Sequence, residues 1–391
     1  MTGFRLGIIG LGRGFMLTLP ALTGDGRVVL AGAVDPRADA CAQFAREFGG
    51  RAFASLEEML AAPDIDAVYI ASPHEHHAAQ AIAALDAGKH VLVEKPMATN
   101  VADCAAMAER ARRAGRVLVV GPSHGFDAPV HAAAGMIASG AHGPLRQLLA
   151  FNFTDFMYRP RRPEELDPAR GGGVVFSQAT HQIDVARRLA GRKLEGVRAV
   201  TGNWDARRAS DGAYTALLFF EGGATASLTY SGYAHYDSDE LMGWIGELGQ
   251  IRDASLHGAA RRSLKERDEG EAKLARTYGR GAPPAPALHH EHFGFVLASC
   301  EHADIRLTPT GLAIYTDDAR EWLPLPPPAV PRQAVIDEFA AAILGTRPPV
   351  HDGRWGLETA AACAALIESS ALRAEVSPDR IIRHALEDNA A

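Results

Sequence analysis

Phe4-Arg5-Leu6-Gly7-Ile8-Ile9-Gly10-Leu11-Gly12-Arg13-Gly14-Phe15 lies near the amino terminus of the chain. Phe4 to Ile9 reads as a strand, with an apolar run from Leu6 to Leu11. Glycines follow at once. They let the backbone turn tightly and approach a pyrophosphate, and the next helix would present unpaired N–H groups to it. The G-x-G-x-x-G pattern puts its third glycine at position 15, where Phe15 stands; Gly14 falls one residue early. A glycine loop of this kind is a weak signal alone, so the flanking sequence decides.

Working outward, Val28 to Val34 reads as a second strand ending in Asp35, the position that holds adenosine ribose hydroxyls in a dinucleotide fold. The Asp35 charge favours NAD over NADP by repelling a 2′-phosphate; Arg37 partly offsets it. Ala38 to Phe48 reads as a helix. Ala67 to Ala71 is an apolar strand ending in Ser72-Pro73-His74, and Ala78 to Ala87 is a helix stopped by Gly88. Val91 to Val93 is a strand, Val101 to Ala114 a helix and Val117 to Val120 a strand. This alternation predicts an α/β domain with a doubly wound parallel Rossmann sheet.

Glu94-Lys95-Pro96 ends the Val91 strand, and chemistry gathers at the carboxyl ends of such strands. Lysine is rare here: Lys89, Lys95, Lys193, Lys265 and Lys273 are the only ones among 40 basic residues. Unlike arginine, a lysine loses its proton readily when buried near another cation. Lys95 is therefore a candidate proton-transfer group; the alternative is a strand-end ion pair with Glu94. His74, His76 and His77 sit at a strand-to-helix turn, which suits cleft-lining polar groups or caps better than a metal site. No metal is expected.

The 391 residues suggest two domains, and the formal charge of −7 offers no basic field for nucleic acid. Cys41, Cys104, Cys300 and Cys363 are far apart, which fits a reducing cytoplasm rather than a disulfide or metal framework. No run reaches membrane-spanning length.

Gly121-Pro122-Ser123-His124-Gly125 breaks the alternation and reads as the junction between a cofactor domain, 1–123, and a substrate domain, 124–391. Leu145 to Asp155, Val197 to Asn203, Tyr214 to Phe220, Ala224 to Tyr230 and Met242 to Ile245 read as strands of a large, mostly antiparallel open sheet. One face of such a sheet often forms a subunit interface. Arg261 to Pro286 reads as an exposed excursion or mobile loop, and Arg332 to Leu344 and Trp355 to Arg373 as helices.

Two stretches here carry chemistry. After Gly171-Gly172-Gly173, an α-helix would place Ser177, His181 and Asp184 on one face, with Gln178 beside them. His181 is a candidate base or donor to a substrate oxygen; the alternative is a histidine satisfied in the core. The proline-stiffened run Tyr158-Arg159-Pro160-Arg161-Arg162-Pro163 holds guanidiniums apart. It suggests a small anionic substrate, with a solvated loop or partner contact as the alternative.

Several motifs together resemble the Gfo/Idh/MocA oxidoreductase family: Gly10-x-Gly12, Ser72-Pro73-His74-x-x-His77, Ala87-Gly88-Lys89-His90-Val91-x-x-Glu94-Lys95-Pro96, and the glycine run leading to His181. Within it, Gly10-Leu11-Gly12-Arg13, Arg159-Pro160-Arg161-Arg162-Pro163-Glu164-Glu165-Leu166, Val174-Val175-Phe176-Ser177-Gln178 and Tyr230-Ser231-Gly232-Tyr233 look most similar to phthalate 4,5-cis-dihydrodiol dehydrogenases. The resemblance implies NAD with its nicotinamide near Lys95, Lys95 and His181 as the catalytic pair, and a homo-oligomer, dimer or tetramer. It implies cofactor contacts along Gly10, Gly12, Arg13, Gly14, Phe15, Asp35, Arg37, Ser72, Pro73, His74, His77 and Glu94. A substrate cleft would be lined by Ser123, His124, Arg159, Arg161, Arg162, Ser177, Gln178 and His181. The expected reaction oxidises a carboxylated cyclic cis-dihydrodiol to an aromatic diol. A sugar, inositol or other alcohol dehydrogenase and a non-catalytic NAD-sensing regulator are the alternatives. Many polyol-oxidising relatives carry aspartate four residues before the histidine; here that residue is Ser177, which speaks against an Asp-His dyad.

Overall fold

In the computed structural model, which describes residues 3–121, 123–265, 268–282 and 287–388, the apolar runs of the first third become six parallel strands. These are β1 (Phe4–Ile9), β2 (Val28–Val34), β3 (Arg51–Ala52), β4 (Ala67–Ile70), β5 (His90–Val93) and β6 (Leu118–Val120). Their order is β3-β2-β1-β4-β5-β6, the doubly wound Rossmann arrangement. All four residues of β4 are buried, as expected of a strand covered by helices on both faces. The strand order reverses between β1 and β4. The crevice therefore opens where Ile9 runs into Gly10 and Ile70 into Ser72.

The second sheet has eight strands: β7 (Leu145–Phe153), β8 (Leu194–Gly202), β9 (Ala213–Phe220), β10 (Thr225–Ser231), β11 (Phe295–Cys300), β12 (Asp304–Thr308), β13 (Gly311–Tyr315) and β14 (Arg320–Pro324). They run in the order β14-β13-β12-β11-β7-β10-β9-β8. Every neighbour pair is antiparallel except β7 with β10. The mostly antiparallel open sheet is as expected, but half its strands, β11 to β14, come from a stretch with no strand reading. The strand expected over Met242 to Ile245 does not form. Ser238–Met242 is a 3-10 turn, and Trp244 takes a left-handed φ of 60°, which an extended strand cannot contain. Inward residues such as Leu148, Ala216, Leu218 and Leu228 are buried, whereas Leu149, Leu217 and Val200 face outward.

The end of the chain ties the two sheets together. Phe339, on helix Gln333–Ile343, meets Phe4 of β1 edge-on at 5.6 Å. Helix Gly353–Leu372 puts Leu357, Ala360 and Ala361 into the Rossmann core and Ala362, Ala365 and Leu366 into the other. Its small alanines allow that close double packing. The expected excursion over 261–286 is partly helical, at Ala259–Ser263 and Glu269–Leu274, and Tyr278 is buried against the cofactor domain. Positions 266, 267 and 283–286 of that excursion lie outside the described residues.

Candidate active site

The crevice is built first from glycines. Gly10 has φ 89°, and a Cβ there would sit 2.8 Å from the Ser72 backbone. Gly12 precedes helix Arg13–Gly24, which has no side-chain cap, so its first N–H groups remain available to an anion. Gly14 answers a different need: a Cβ there would lie 2.7 Å from Glu94 Oε1. Phe15 turns its ring inward, fully buried on Phe44 and Tyr278, so only its backbone N–H in the first helical turn is placed to meet a cofactor.

Asp35 stands at the end of β2. It accepts the Leu11 N–H at 2.7 Å and the Arg37 Nε at 2.9 Å. Arg37 also donates to Leu11 O at 2.8 Å, Thr277 Oγ1 at 2.8 Å and Tyr278 O at 2.9 Å. With its donors so engaged, Arg37 is a poor receptor for a 2′-phosphate, and the acid-terminated strand suits the ribose of NAD. The uncapped helix, the glycine turn and Asp35 together fit a dinucleotide.

The turn after β4 is structural as much as functional. The Ser72 hydroxyl donates to Gln80 Oε1 at 2.6 Å. Pro73 leads into a short 3-10 turn starting at His74. His77 is fully buried, with Nδ1 2.9 Å from Pro96 O and Nε2 3.1 Å from Ser72 O. Burial pushes both His74 and His77 toward the neutral form. His77 thus fastens the loop carrying Lys95 to the Ser72 turn.

Lys95 follows β5, and its Nζ donates to Ser177 O at 3.1 Å. Burial lowers its pKa to about 8, against the pull of Glu94 and with help from Arg332. Glu94 lies against Gly14 of the glycine turn. It accepts the Tyr69 hydroxyl at 2.7 Å and lies 3.7 Å from Arg332, which lies 3.5 Å from Glu291 on its other side. Arg332 is held in a left-handed conformation, φ 60°.

His181 opens the helix Thr180–Ala190, behind a π-helical turn over Val175–Ala179. That wider turn breaks the expected one-face register of Ser177, His181 and Asp184. The Ser177 hydroxyl donates back to Gly173 O, and Ser177 meets Lys95 only through its carbonyl. Asp184 instead accepts the Ser123 hydroxyl, the Gly125 N–H at 3.0 Å and the Trp355 Nε1–H at 2.5 Å. Ser123, which lines a cavity with Lys95, is tied to the framework through Asp184. Gln178 accepts a long 3.5 Å bond from the Tyr230 hydroxyl.

The His181 ring packs 4.6 Å from His124 and 4.8 Å from Phe293. Its Nδ1 accepts the His124 backbone N–H at 3.4 Å, so the proton of the neutral ring resides on Nε2. Burial, then Lys95 and His124, hold His181 well below the usual imidazole range. His124 moves the other way. Although burial opposes it, Asp127 at 2.7 Å raises it. His124, Asp127 and Glu291 are the one trio with metal-ligand spacing among the described residues; the triple of His74, His76 and His77 is not so arranged.

The arginine loop divides. Arg159 pairs with Asp155 at 3.0 Å and Glu247 at 3.4 Å, and Glu247 also accepts from Asn152 at 3.2 Å. Arg162 leans on Glu165 at 3.7 Å. Both are thus spent on carboxylates of this chain. Arg161 stacks 3.4 Å over Phe156 and donates to Phe156 O at 3.1 Å, with its Nε unpartnered among the described residues. Sequence reasoning missed Glu247, Glu291, Phe293 and Arg332. The titratable run His289-His290-Glu291-His292-Phe293 was a visible signal for two of them; Arg332 carried none.

Comparison with known proteins agrees with this geometry. Residues 4–122 match the GFO/IDH/MocA oxidoreductase family model with an NAD-binding Rossmann fold, and residues 130–252 match a GFO/IDH/MocA C-terminal domain. The 1-carboxy-3-chloro-3,4-dihydroxycyclohexa-1,5-diene dehydrogenase of Comamonas testosteroni is 45% identical over 373 residues, 93% of this chain and 94% of that protein. A solved structure from Bordetella bronchiseptica RB50 superposes with TM-score 0.91 at 38% identity, covering 96% of this chain and 100% of that one. An oxidoreductase from Agrobacterium radiobacter, in complex with NAD+, L-tartaric acid and magnesium, shares the fold with TM-score 0.72 at 16% identity, covering 97% and 100% of the two chains. Two domain matches in the expected order, on a fold that brings Lys95 to the crevice, lead to one conclusion: the chain belongs to the Gfo/Idh/MocA family of NAD-binding oxidoreductases.

Proposed function

We propose that this dehydrogenase oxidises a carboxylated cyclic cis-dihydrodiol to an aromatic diol. Residues 1–123 would hold the cofactor and 124–391 present the substrate. The observation that carries the reading is the meeting of two groups from different domains. Lys95, with its lowered pKa, bonds the Ser177 carbonyl one turn before the neutral His181. The Comamonas relative, named for a carboxylated dihydroxycyclohexadiene, supports the substrate class.

NAD, when bound, supplies the hydride acceptor. Lys95 as free amine takes the proton of the hydroxyl whose carbon loses hydride. His181 donates from Nε2 to a diol oxygen and orients it, since its low pKa suits a donor better than a base. The hydroxyketone then enolises, and aromaticity draws the reaction forward. Arg161, with donor capacity to spare, is the loop's candidate carboxylate holder. Lys95→Met should lower kcat by about 10² or more and leave NADH binding near wild type. Near-normal turnover would remove Lys95 from the chemistry. A panel of inositol and sugar alcohols set against a carboxylated dihydrodiol, read by NADH absorbance, separates the substrate classes.

The outward sheet face supports a homo-oligomer. Leu149 and Leu217 are exposed there, and Phe151 stacks on Phe295 at 5.1 Å beside them. Apolar side chains exposed on this face, with Ser227 between Leu149 and Leu217, suit an isologous contact. Leu217→Lys should shift the mass measured by light scattering toward the monomer. Among the described residues no helix is long and apolar enough to cross a membrane, and four buried free cysteines suit a cytoplasmic setting.

A further inference from the structure

In a dinucleotide fold, an acid at the end of the second strand takes the ribose 2′-hydroxyl of NAD, and a nearby arginine accommodates the 2′-phosphate of NADP. This chain has both groups. Asp35 is the acid, and Arg37 is bonded to its carboxylate. A guanidinium carries five N–H donors, and each one in Arg37 has an acceptor. Nε and one Nη2 proton go to Asp35, at 2.9 and 3.2 Å, and the other Nη2 proton goes to Leu11 O at 2.8 Å. The two Nη1 protons reach residues 240 and 241 positions downstream: Thr277 Oγ1 at 2.8 Å and Tyr278 O at 2.9 Å. The Thr277 hydroxyl gives its own proton to Leu274 O at 2.7 Å, so a lone pair faces Arg37.

Those two acceptors sit on a segment, 268–281, that is fastened at both ends. Toward the second sheet, Glu269 accepts the Arg161 backbone N–H at 2.9 Å and pairs with Arg208 at 2.9 Å, and Lys273 pairs with Glu165. Toward the Rossmann sheet, the Tyr278 N–H donates to Leu11 O at 3.1 Å, its ring meets Phe15 at 5.5 Å, and its hydroxyl reaches Glu47 at 2.5 Å. Arg280 pairs with Asp39 at 3.1 Å. The acceptors are therefore fixed in place, and Arg37 with them. A 2′-phosphate would have to draw Arg37 off Thr277 and Tyr278 and leave a backbone carbonyl unpaired, beside the Asp35 charge; a 2′-hydroxyl asks for neither. We propose that Thr277 and Tyr278 are positioning residues for cofactor selectivity: by holding both Nη1 donors they withhold Arg37 from NADP and leave Asp35 to meet the ribose of NAD. The assignment is independent of which alcohol is oxidised.

The test is equilibrium binding of NADH and NADPH, read by nicotinamide fluorescence, for the wild type and four variants. The wild type should bind NADH the more tightly. Thr277→Val keeps the shape and removes the acceptor; it should tighten NADPH by about 3- to 10-fold and leave NADH near wild type. Thr277→Ser, which keeps the hydroxyl, should hold the wild-type ratio. Tyr278→Ala loosens the carbonyl from its anchor and should move the ratio in the same direction as Thr277→Val. Adding Arg37→Ala to Thr277→Val should abolish the gain, because the freed donor belongs to Arg37. A ratio that neither Thr277→Val nor Tyr278→Ala moves overturns the proposal, and so does a gain that survives Arg37→Ala. Equal changes in both affinities overturn it too, by making 268–281 a clamp on any dinucleotide. A wild type that binds NADPH as tightly as NADH leaves no selectivity to assign and overturns it outright.

Discussion

In the proposed mechanism, Lys95 and His181 divide proton work by charge state. The base must be the free amine, and below its pKa of about 8 Lys95 is an ammonium that cannot accept a proton. The kcat/KM profile should therefore rise with unit slope up to about pH 8 and flatten above it. His181, pushed far below 6.5, should add no alkaline limb. Glu94 acts on this limb, because its charge raises the lysine against burial and Arg332. Glu94→Gln keeps an oxygen for the Tyr69 hydroxyl but removes the charge, so the limb should move to lower pH; an unmoved limb would mean that Glu94 is protonated at rest. At this scale the sequence was readable where a residue type was unusual for its place. Lys95 stood out among arginines at a strand end. Arg332 was not readable, because it reaches Glu94 from more than two hundred positions away and only the fold makes them neighbours.

The π-helical turn over Val175–Ala179 shows what spacing rules assume. A steady 3.6-residue period puts Ser177 and Asp184 beside His181. One wider turn sends the Ser177 hydroxyl to Gly173 O and gives Asp184 to Ser123 and Trp355. Ser177→Ala should then cost about 1 kcal/mol of stability for one lost hydrogen bond, read by denaturant unfolding, and change kcat/KM only a few-fold. Ser177→Asp should not create a polyol dehydrogenase, because its carboxylate would face the Gly173 carbonyl rather than the imidazole; a gain in inositol turnover would refute this. The glycine turn follows the same logic. Gly14 looked like a misplaced third glycine, yet its lack of a side chain makes room for Glu94. Strands β11 to β14 went unread although β11 and β12 alternate in burial; β13 is nearly all buried and β14 is exposed along its length. Charged and polar residues such as Asp304, Arg306 and Arg320 interrupt the apolar signal, and pairing along the sheet supplies what propensity lacks.

Across the whole molecule, the parallel domain was legible because its strands are apolar on both faces and its glycines and turns punctuate them. Less legible was that its core is completed by residues more than two hundred and fifty positions downstream. Val335, Ile336 and Phe339 fill the cluster built on Leu6, Ile8 and Leu11, while Leu357 and Ala361 fill the one built on Val68 and Val91. Helix Gly353–Leu372 then joins that core to the second sheet through Ala362 and Leu366. Shared side chains of this kind make separate unfolding of the two halves costly. Phe339→Ala, which removes a fully buried ring from against Phe4, should destabilise by about 3–5 kcal/mol. Because the lesion weakens the Rossmann side and helix Gly353–Leu372 couples that side to the second sheet, heat should still unfold the variant in one transition, displaced to lower temperature. Calorimetry with NADH added supplies the check: the cofactor should raise that single transition as a whole. Two separated transitions, with NADH moving only one, would mean that the Rossmann sheet and the open sheet stand alone and that the returning helices merely cover the surface.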